Sequence, residues 1–343
     1  VKDVSDFIFS KLVLIGIYIL LVFISLLLQC PSLEDKIIFF ILGLNQLLFS
    51  VIIFGRSMVQ GLQELKKDSI LSSLDRFFLV VFGFILLHFF YQNISIYTFL
   101  LVHTISFSIC ILVIVWILKS KVSFHRSLFS INQLSLIFKD GYLLIFVYIL
   151  MTIYSRVDAI FLKNLFPNGD ALCGVLAFSF RIIDSAYNAL MLMSIFLLPS
   201  VAYEFSHKNF DYIRKLVLLS FGGVTIISLG FIGLCYWQNE WIYRTLYKTS
   251  DFTTLSVFKI QLLSVLGVGW MYIFGSYLTA IGRFVELVWI VFIGVVLSIS
   301  LNLFLVPKMN VIGSAITSTV VQLTMGILHL VVAFYFLFKF KYK

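Results

Sequence analysis

Residues 12–30 read LVLIGIYILLVFISLLLQC, a run without a single charged side chain. As a helix, this run extends for roughly 28 Å, close to the ~30 Å thickness of the hydrocarbon core of a bilayer. Backbone polar groups in lipid must be satisfied within the segment itself, and a helix does so. The run therefore predicts a membrane-spanning α-helix.

Apolar runs of similar length recur along the whole chain and are joined by short loops. The predicted spans are residues 12–30, 37–54, 74–91, 96–118, 141–165, 171–199, 216–236, 252–281, 285–306 and 311–338. The sequence therefore predicts an all-α integral membrane protein of about ten transmembrane helices. The loops leave no room for a soluble domain.

The composition excludes several other classes of protein. Apolar residues make up 61% of the 343 residues and charged residues only 12%, with a mean hydropathy of +1.08, whereas soluble domains carry roughly 25% charged residues. The net charge of +9 comes from short loops, which argues against a nucleic-acid-binding surface. Cys30, Cys110, Cys173 and Cys235 lie singly, so neither a disulfide framework nor a metal site is expected.

The distribution of lysine and arginine predicts the orientation. Most of the 25 basic residues lie in loops on one side of the predicted membrane, and that side is expected to be cytoplasmic. The opposite side carries Lys36, Lys163, Arg244, Lys248 and Lys308. With an even number of spans, both termini are expected in the cytoplasm.

Five polar residues within the fifth and sixth spans are the main candidates for a substrate cavity. Ionisable groups in hydrocarbon cost about 2.5–3.5 kcal/mol on insertion scales and commonly mark transport pathways. Arg181 and Asp184 are spaced i,i+3 and can pair, and Asn188 extends their helix face. Arg156 and Asp158 differ by about 200° around their helix, so one is expected to line the cavity while the other pairs with the neighbouring helix.

The same residues have a functional and a structural interpretation. Arginine binds phosphate in a bidentate manner, which favours a cavity for a phosphate-bearing substrate. The alternative is a set of interhelical ion pairs that fix the packing. Lys259, near the end of the eighth span, is a further cavity candidate, although its amine can also extend to the lipid headgroups. We expect no catalytic residues, metal site or cofactor.

Three stretches resemble a known family. The first contains DAIFL at 158–162, CGVLAFSFRI at 173–182 and a helix that closes at 198–199; the second is AIGR at 280–283; the third is NLFLVPK at 302–308 with IGSAITS at 312–318. Together they resemble the Wzx-type polysaccharide flippases, which move O-antigen or capsule repeat units and belong to the multidrug/oligosaccharidyl-lipid/polysaccharide (MOP) exporter superfamily. Leu176, Asn310 and Ser314 depart from the family pattern.

The resemblance implies a fold, a substrate and partners. The fold would be two pseudo-symmetric helical bundles of the MATE type, with residues 1–126 forming a partial N-terminal bundle of four spans and residues 127–343 a C-terminal bundle of six. The ten spans would be the family's third to twelfth, the first two being missing from this chain. A bacterial inner-membrane protein of this kind would flip undecaprenyl-pyrophosphate-linked oligosaccharides by alternating access, for polysaccharide, O-antigen and lipopolysaccharide synthesis.

The resemblance also implies residue roles. Arg156, Arg181 and Lys259 would attract the pyrophosphate or sugar acids. Asp158 and Asp184 would tune that charge or bind a coupling ion, either a proton or sodium. The expected partners are the lipid-linked oligosaccharide and membrane lipids. A multidrug or cation antiporter of the same superfamily and a membrane glycan polymerase remain the alternatives.

Overall fold

The computed structural model describes residues 2–29, 32–62, 64–89, 95–119, 131–248 and 251–339. All regular secondary structure within these ranges is helical, which confirms the predicted all-α fold. The helices are α1 (Lys2–Gln29), α2 (Leu33–Gly61), α3 (Leu65–Phe89), α4 (Ile96–Lys119), α5 (Ile131–Leu165), α6 (Gly169–Ser206), α7 (Phe210–Trp237), α8 (Asn239–Tyr247), α9 (Phe252–Leu262), α10 (Ser264–Ala280) and α11 (Phe284–Lys339).

The helices identify the chain as a multi-pass membrane protein. Nine stretches of the described residues are long and apolar enough to cross a membrane. The last of them, α11, has 56 residues, which as one straight helix would extend for about 84 Å, more than twice the ~30 Å hydrocarbon core. Large apolar side chains also face outwards, such as Leu28 at 79% exposure, Trp116 at 77% and Phe196 at 75%. Lipid is the solvent that suits such surfaces.

Helix α11 consists of two antiparallel arms. Its backbone leaves the helical region at Asn310, where φ is 52° and ψ is −133°. Gly294 in the first arm lies so close to Met325 in the second that a Cβ on Gly294 would be 3.1 Å from the methionine methyl carbon. Asn310 lies midway between these two positions, so the arms fold back on each other there. The two arms correspond to the ninth and tenth predicted spans.

The chain divides into two compact units, residues 1–137 and 138–343. The predicted boundary after residue 126 lies outside the described residues and stays a prediction. In the first unit, α2, α3 and α4 pack around Ile52, Val59, Leu71, Cys110 and Ile114. Arg56 on α2 stabilises the turn between α2 and α3, because its Nε donates a 2.8 Å hydrogen bond to Oδ1 of Asp68 on α3.

The second unit is organised around α10, which contacts α6, α7 and α11. Two glycines allow close contact between α10 and the second arm of α11. A Cβ on Gly326 would lie 2.8 Å from the Gly267 Cα, and one on Gly267 would lie 2.7 Å from the Leu323 nitrogen. Small residues of this kind let the backbones of membrane helices approach.

Several helix ends differ from the predicted spans. Helix α6 continues through Pro199 to Ser206 instead of closing at the proline, because a proline within a helix removes one backbone hydrogen bond without necessarily ending the helix. The eighth span is continuous from Phe252 to Ala280. Leu263, between α9 and α10, has helical dihedral angles, and Leu263 and Leu266 donate to carbonyl groups three residues back instead of four. Hydropathy does not predict such a local irregularity.

Candidate functional site

A cavity of about 430 Å³ lies within the second unit, between α5, α6, α10 and the two arms of α11. The charged residues that line it are Arg156 and Asp158 from α5, with Arg181 and Asp184 from α6. Four of the candidates chosen from the sequence therefore meet at one cavity. Its volume falls within the range of about 300–1,000 Å³ typical of ligand pockets.

The two arginines are exposed, and neither makes a hydrogen bond or ion pair within the described part of the chain. Asp184 is also exposed, and its main electrostatic neighbour is Arg156 on the adjacent helix. The i,i+3 spacing places Arg181 and Asp184 on the same helix face, but their side chains do not form an ion pair in these helices. Two guanidinium groups thus face the cavity with their hydrogen-bonding capacity unused.

Asp158 occupies a different environment from the arginines, since only 4% of its surface is exposed. Its Oδ1 accepts a 2.6 Å hydrogen bond from Nδ2 of Asn302, which also donates to the Ser298 carbonyl oxygen at 2.9 Å. The Asn302 Oδ1 is buried and has no partner among the described residues. A buried carboxylate that accepts one hydrogen bond from a neutral amide retains lone pairs for a further donor.

Asn188 and Lys259 are not among the residues that line this cavity. Asn188 donates from Nδ2 to the Asp184 carbonyl oxygen at 2.7 Å, one helical turn back. The Lys259 amine lies 5.3 Å from the centre of the Tyr236 ring, a cation–π contact at the end of α7. Their proposed roles toward substrate stay predictions.

The uncharged polar wall of the cavity was not identified from the sequence. It is formed by Tyr154, Tyr187, Tyr272, Ser298, Ser318 and Gln322. Tyrosines are common on apolar helices, so composition alone does not distinguish them from interfacial anchors. The sequence does indicate Asn302 as a candidate, because Ser298 and Asn302 are spaced i,i+4 and form a polar stripe on an otherwise apolar helix.

Among the described residues, no group of three or more His, Cys, Asp or Glu side chains is placed to hold a metal ion. Cys110, Cys173 and Cys235 are free thiols, and Cys30 lies outside the described residues.

Comparison with known proteins links the chain to one family and one fold. A family model described as "Polysaccharide biosynthesis protein" matches residues 4–205. A comparison with curated protein sequences gave no match.

Solved structures give the fold. A crystal structure of MATE in complex with MaL6 is similar with a TM-score of 0.76 and 11% identity, over 100% of this chain and 80% of that chain. A MOP superfamily transporter from Pyrococcus furiosus Vc1, whose binding pocket is described as having reverse polarity, is similar with a TM-score of 0.73 and 12% identity, over 99% of this chain and 79% of that chain. A mutant of the Vibrio cholerae MATE transporter VcmN is similar with a TM-score of 0.72 and 15% identity, over 98% of this chain and 78% of that chain.

Proposed function

The chain belongs to the polysaccharide biosynthesis protein family and is a transporter with the MOP-superfamily fold, and from this premise we propose that it flips lipid-linked glycans. The substrate is an undecaprenyl-pyrophosphate-linked oligosaccharide repeat unit, moved across the bacterial inner membrane by alternating access. The product of this step serves polysaccharide or O-antigen assembly. Both termini are cytoplasmic in this proposal.

The observation that carries the proposal is the pair of unpaired arginines on one cavity. Arg156 and Arg181 come from neighbouring helices and have no partner in the described residues. A charged side chain within a membrane span is costly in hydrocarbon and commonly marks a substrate pathway. Its planar fork of donors matches phosphate oxygens, and two such groups suit the two phosphates of a pyrophosphate.

A coupling ion is proposed at Asp158. The carboxylate is buried, and among the described residues only the neutral amide of Asn302 donates a hydrogen bond to it. A proton or a sodium ion would neutralise this charge in the interior of the unit, where an uncompensated charge is unfavourable. Loading and release of the ion would then bias the transporter between its two states.

A multidrug or cation antiporter is the second candidate. The exposed carboxylate of Asp184 favours it, because a cationic drug would be attracted to an acidic group that has no ion pair with a described residue. Two guanidinium groups on the same cavity disfavour a cationic cargo. For this reason an anionic pyrophosphate is the better match.

The test is the replacement of each arginine in the chromosomal gene. Arg156→Ala and Arg181→Ala are expected to lower surface polysaccharide and to cause lipid-linked repeat units to accumulate, whereas Arg181→Lys retains part of the activity. Arg244→Ala is the matched control, because Arg244 is exposed on α8 and pairs with Glu240 at 3.5 Å. Wild-type surface glycan in the Arg156→Ala, Arg181→Ala double variant would refute the pyrophosphate role.

A further inference from the structure

The cavity is lined by charged and by uncharged polar residues. Arg156, Arg181 and Asp184 are among the charged ones, while Tyr187, Tyr272 and Gln322 are uncharged. A pyrophosphate uses only the arginines. The proposed function therefore leaves the tyrosines without a role.

Tyr187 is fixed in position by other polar groups. Its hydroxyl lies 2.6 Å from the Ser264 Oγ, and Ser264 in turn donates to the Gln261 carbonyl oxygen at the end of α9. This chain of hydrogen bonds anchors the ring near the junction of α9 and α10. Because Ser264 donates its own proton to Gln261, the Tyr187 hydroxyl proton is the one that bonds to Ser264.

Tyr272 differs from Tyr187 in having a free hydroxyl. Its ring is half-buried in the cavity wall, and its hydroxyl makes no hydrogen bond to any residue that the structure describes. Asp184 is close enough to interact with it electrostatically. The Asp184 carboxylate accepts no hydrogen bond from a described residue, since Asn188 bonds only to its backbone carbonyl, and Arg156 is its electrostatic neighbour. A phenol donor and a carboxylate acceptor thus face the same space without binding each other.

A ligand with neighbouring hydroxyl groups suits these two side chains. A carboxylate accepts hydrogen bonds from hydroxyl groups, and a phenol can donate to or accept from them. Such a ligand would also lie near the pyrophosphate, since Arg156 is the electrostatic neighbour of Asp184. In a pyrophosphate-linked glycan, the first sugar meets both conditions.

Resting on the proposed function, we propose that Tyr272 and Asp184 form a subsite for the hydroxyl groups of the sugar attached to the pyrophosphate. The subsite makes the transporter selective for the first sugar of the repeat unit. A site that hydrogen-bonds a substrate hydroxyl discriminates against analogues that lack it, because its polar groups are then left unpaired. In this proposal the arginines bind every pyrophosphate-linked lipid, and the subsite makes binding selective for lipids with the matching first sugar.

The test compares the binding of two lipids to the purified full chain in nanodiscs. The probes are undecaprenyl diphosphate, which has no sugar, and lipid-linked repeat units extracted from the host membranes. The wild-type protein is expected to bind the glycosylated lipid more tightly. Tyr272→Phe and Asp184→Ala should each weaken binding of the glycosylated lipid about 3- to 10-fold, the effect of losing one hydrogen bond, and Tyr272→Phe should leave undecaprenyl diphosphate binding unchanged.

Two further variants separate the possible outcomes. Arg181→Ala should weaken binding of both lipids, and Tyr148→Phe, which alters an exposed α5 tyrosine outside the cavity, should weaken neither. Equal wild-type affinity for the two lipids, or an equal loss for both with Tyr272→Phe, overturns the subsite and leaves the flippase proposal standing. A wild-type protein that binds neither lipid overturns both.

Discussion

Asn302 on α11 donates a 2.6 Å hydrogen bond from Nδ2 to Oδ1 of Asp158 on α5, and thereby links two helices inside the second unit. Both residues are almost fully buried, with Asp158 4% exposed and Asn302 inaccessible. Asp158 lines the same cavity as the two arginines. It connects the proposed ion site to the frame of the substrate cavity.

Removal of this amide should destabilise the protein. Asn302→Ala leaves a buried carboxylate without its donor, which costs about 1–3 kcal/mol or more for a charged group. The thermal unfolding temperature in detergent is expected to fall. Asn188→Ala is the matched control, because the exposed Asn188 amide bonds only to a carbonyl one turn away. Equal unfolding temperatures for the two variants would contradict this account of Asn302.

Alanine substitutions at a tightly packed glycine and at an unpacked one should change the stability of the protein in opposite directions. In Gly267→Ala, the new methyl group would meet the backbone of Gln322 and Leu323, and overpacking of this kind costs about 1–3 kcal/mol. In Gly222→Ala on α7, the methyl group would have no neighbour within 4 Å, so helix propensity should stabilise the protein by about 0.5–1 kcal/mol. Unfolding temperatures of the two variants that shift in the same direction would count against the close packing.

Asn310→Gly should stabilise the turn between the two arms of α11. At φ 52° and ψ −133°, a residue with a Cβ is strained by roughly 1–3 kcal/mol, whereas glycine tolerates such conformations. The unfolding temperature is expected to rise in Asn310→Gly and to fall in Asn310→Ala. A lower unfolding temperature for the glycine variant would show that the asparagine side chain stabilises the turn.

The predicted sidedness can be tested by cysteine labelling. Lys66 and Lys248 are assigned to opposite faces by the distribution of basic residues. In a background without the native cysteines, Lys66→Cys should react with a membrane-impermeant maleimide only after the cells are opened. Lys248→Cys should react in intact spheroplasts. Labelling of both positions in intact spheroplasts would invalidate the assigned topology.

The sequence was sufficient for the spans and for the charged half of the site. Apolar length predicts helices, and the cost of charge in lipid drew attention to Arg156, Asp158, Arg181 and Asp184, which meet at one cavity. The uncharged polar residues of the site depend on tertiary packing and could not be predicted. Tyr272 comes from a helix distant in sequence, and nothing local in its apolar surroundings indicates that its hydroxyl is free.

Hydropathy also does not predict two features of the backbone. The irregular helical turn at Leu263 lies between Gln261 and Ser264 within one membrane span. The extension of α6 past Pro199 depends on how the helix accommodates the missing hydrogen bond. Both features depend on backbone geometry, which the sequence of apolar residues does not determine.

The most direct measurement of the central claim is translocation in proteoliposomes that contain the purified chain and lipid-linked repeat units in one leaflet. The account predicts that the units reach the opposite leaflet, detected by a membrane-impermeant lectin or glycosidase, faster than in protein-free vesicles. The Arg156→Ala, Arg181→Ala double variant should behave like protein-free vesicles. Wild-type vesicles that move no glycan but expel a cationic dye would contradict the account and identify a drug antiporter.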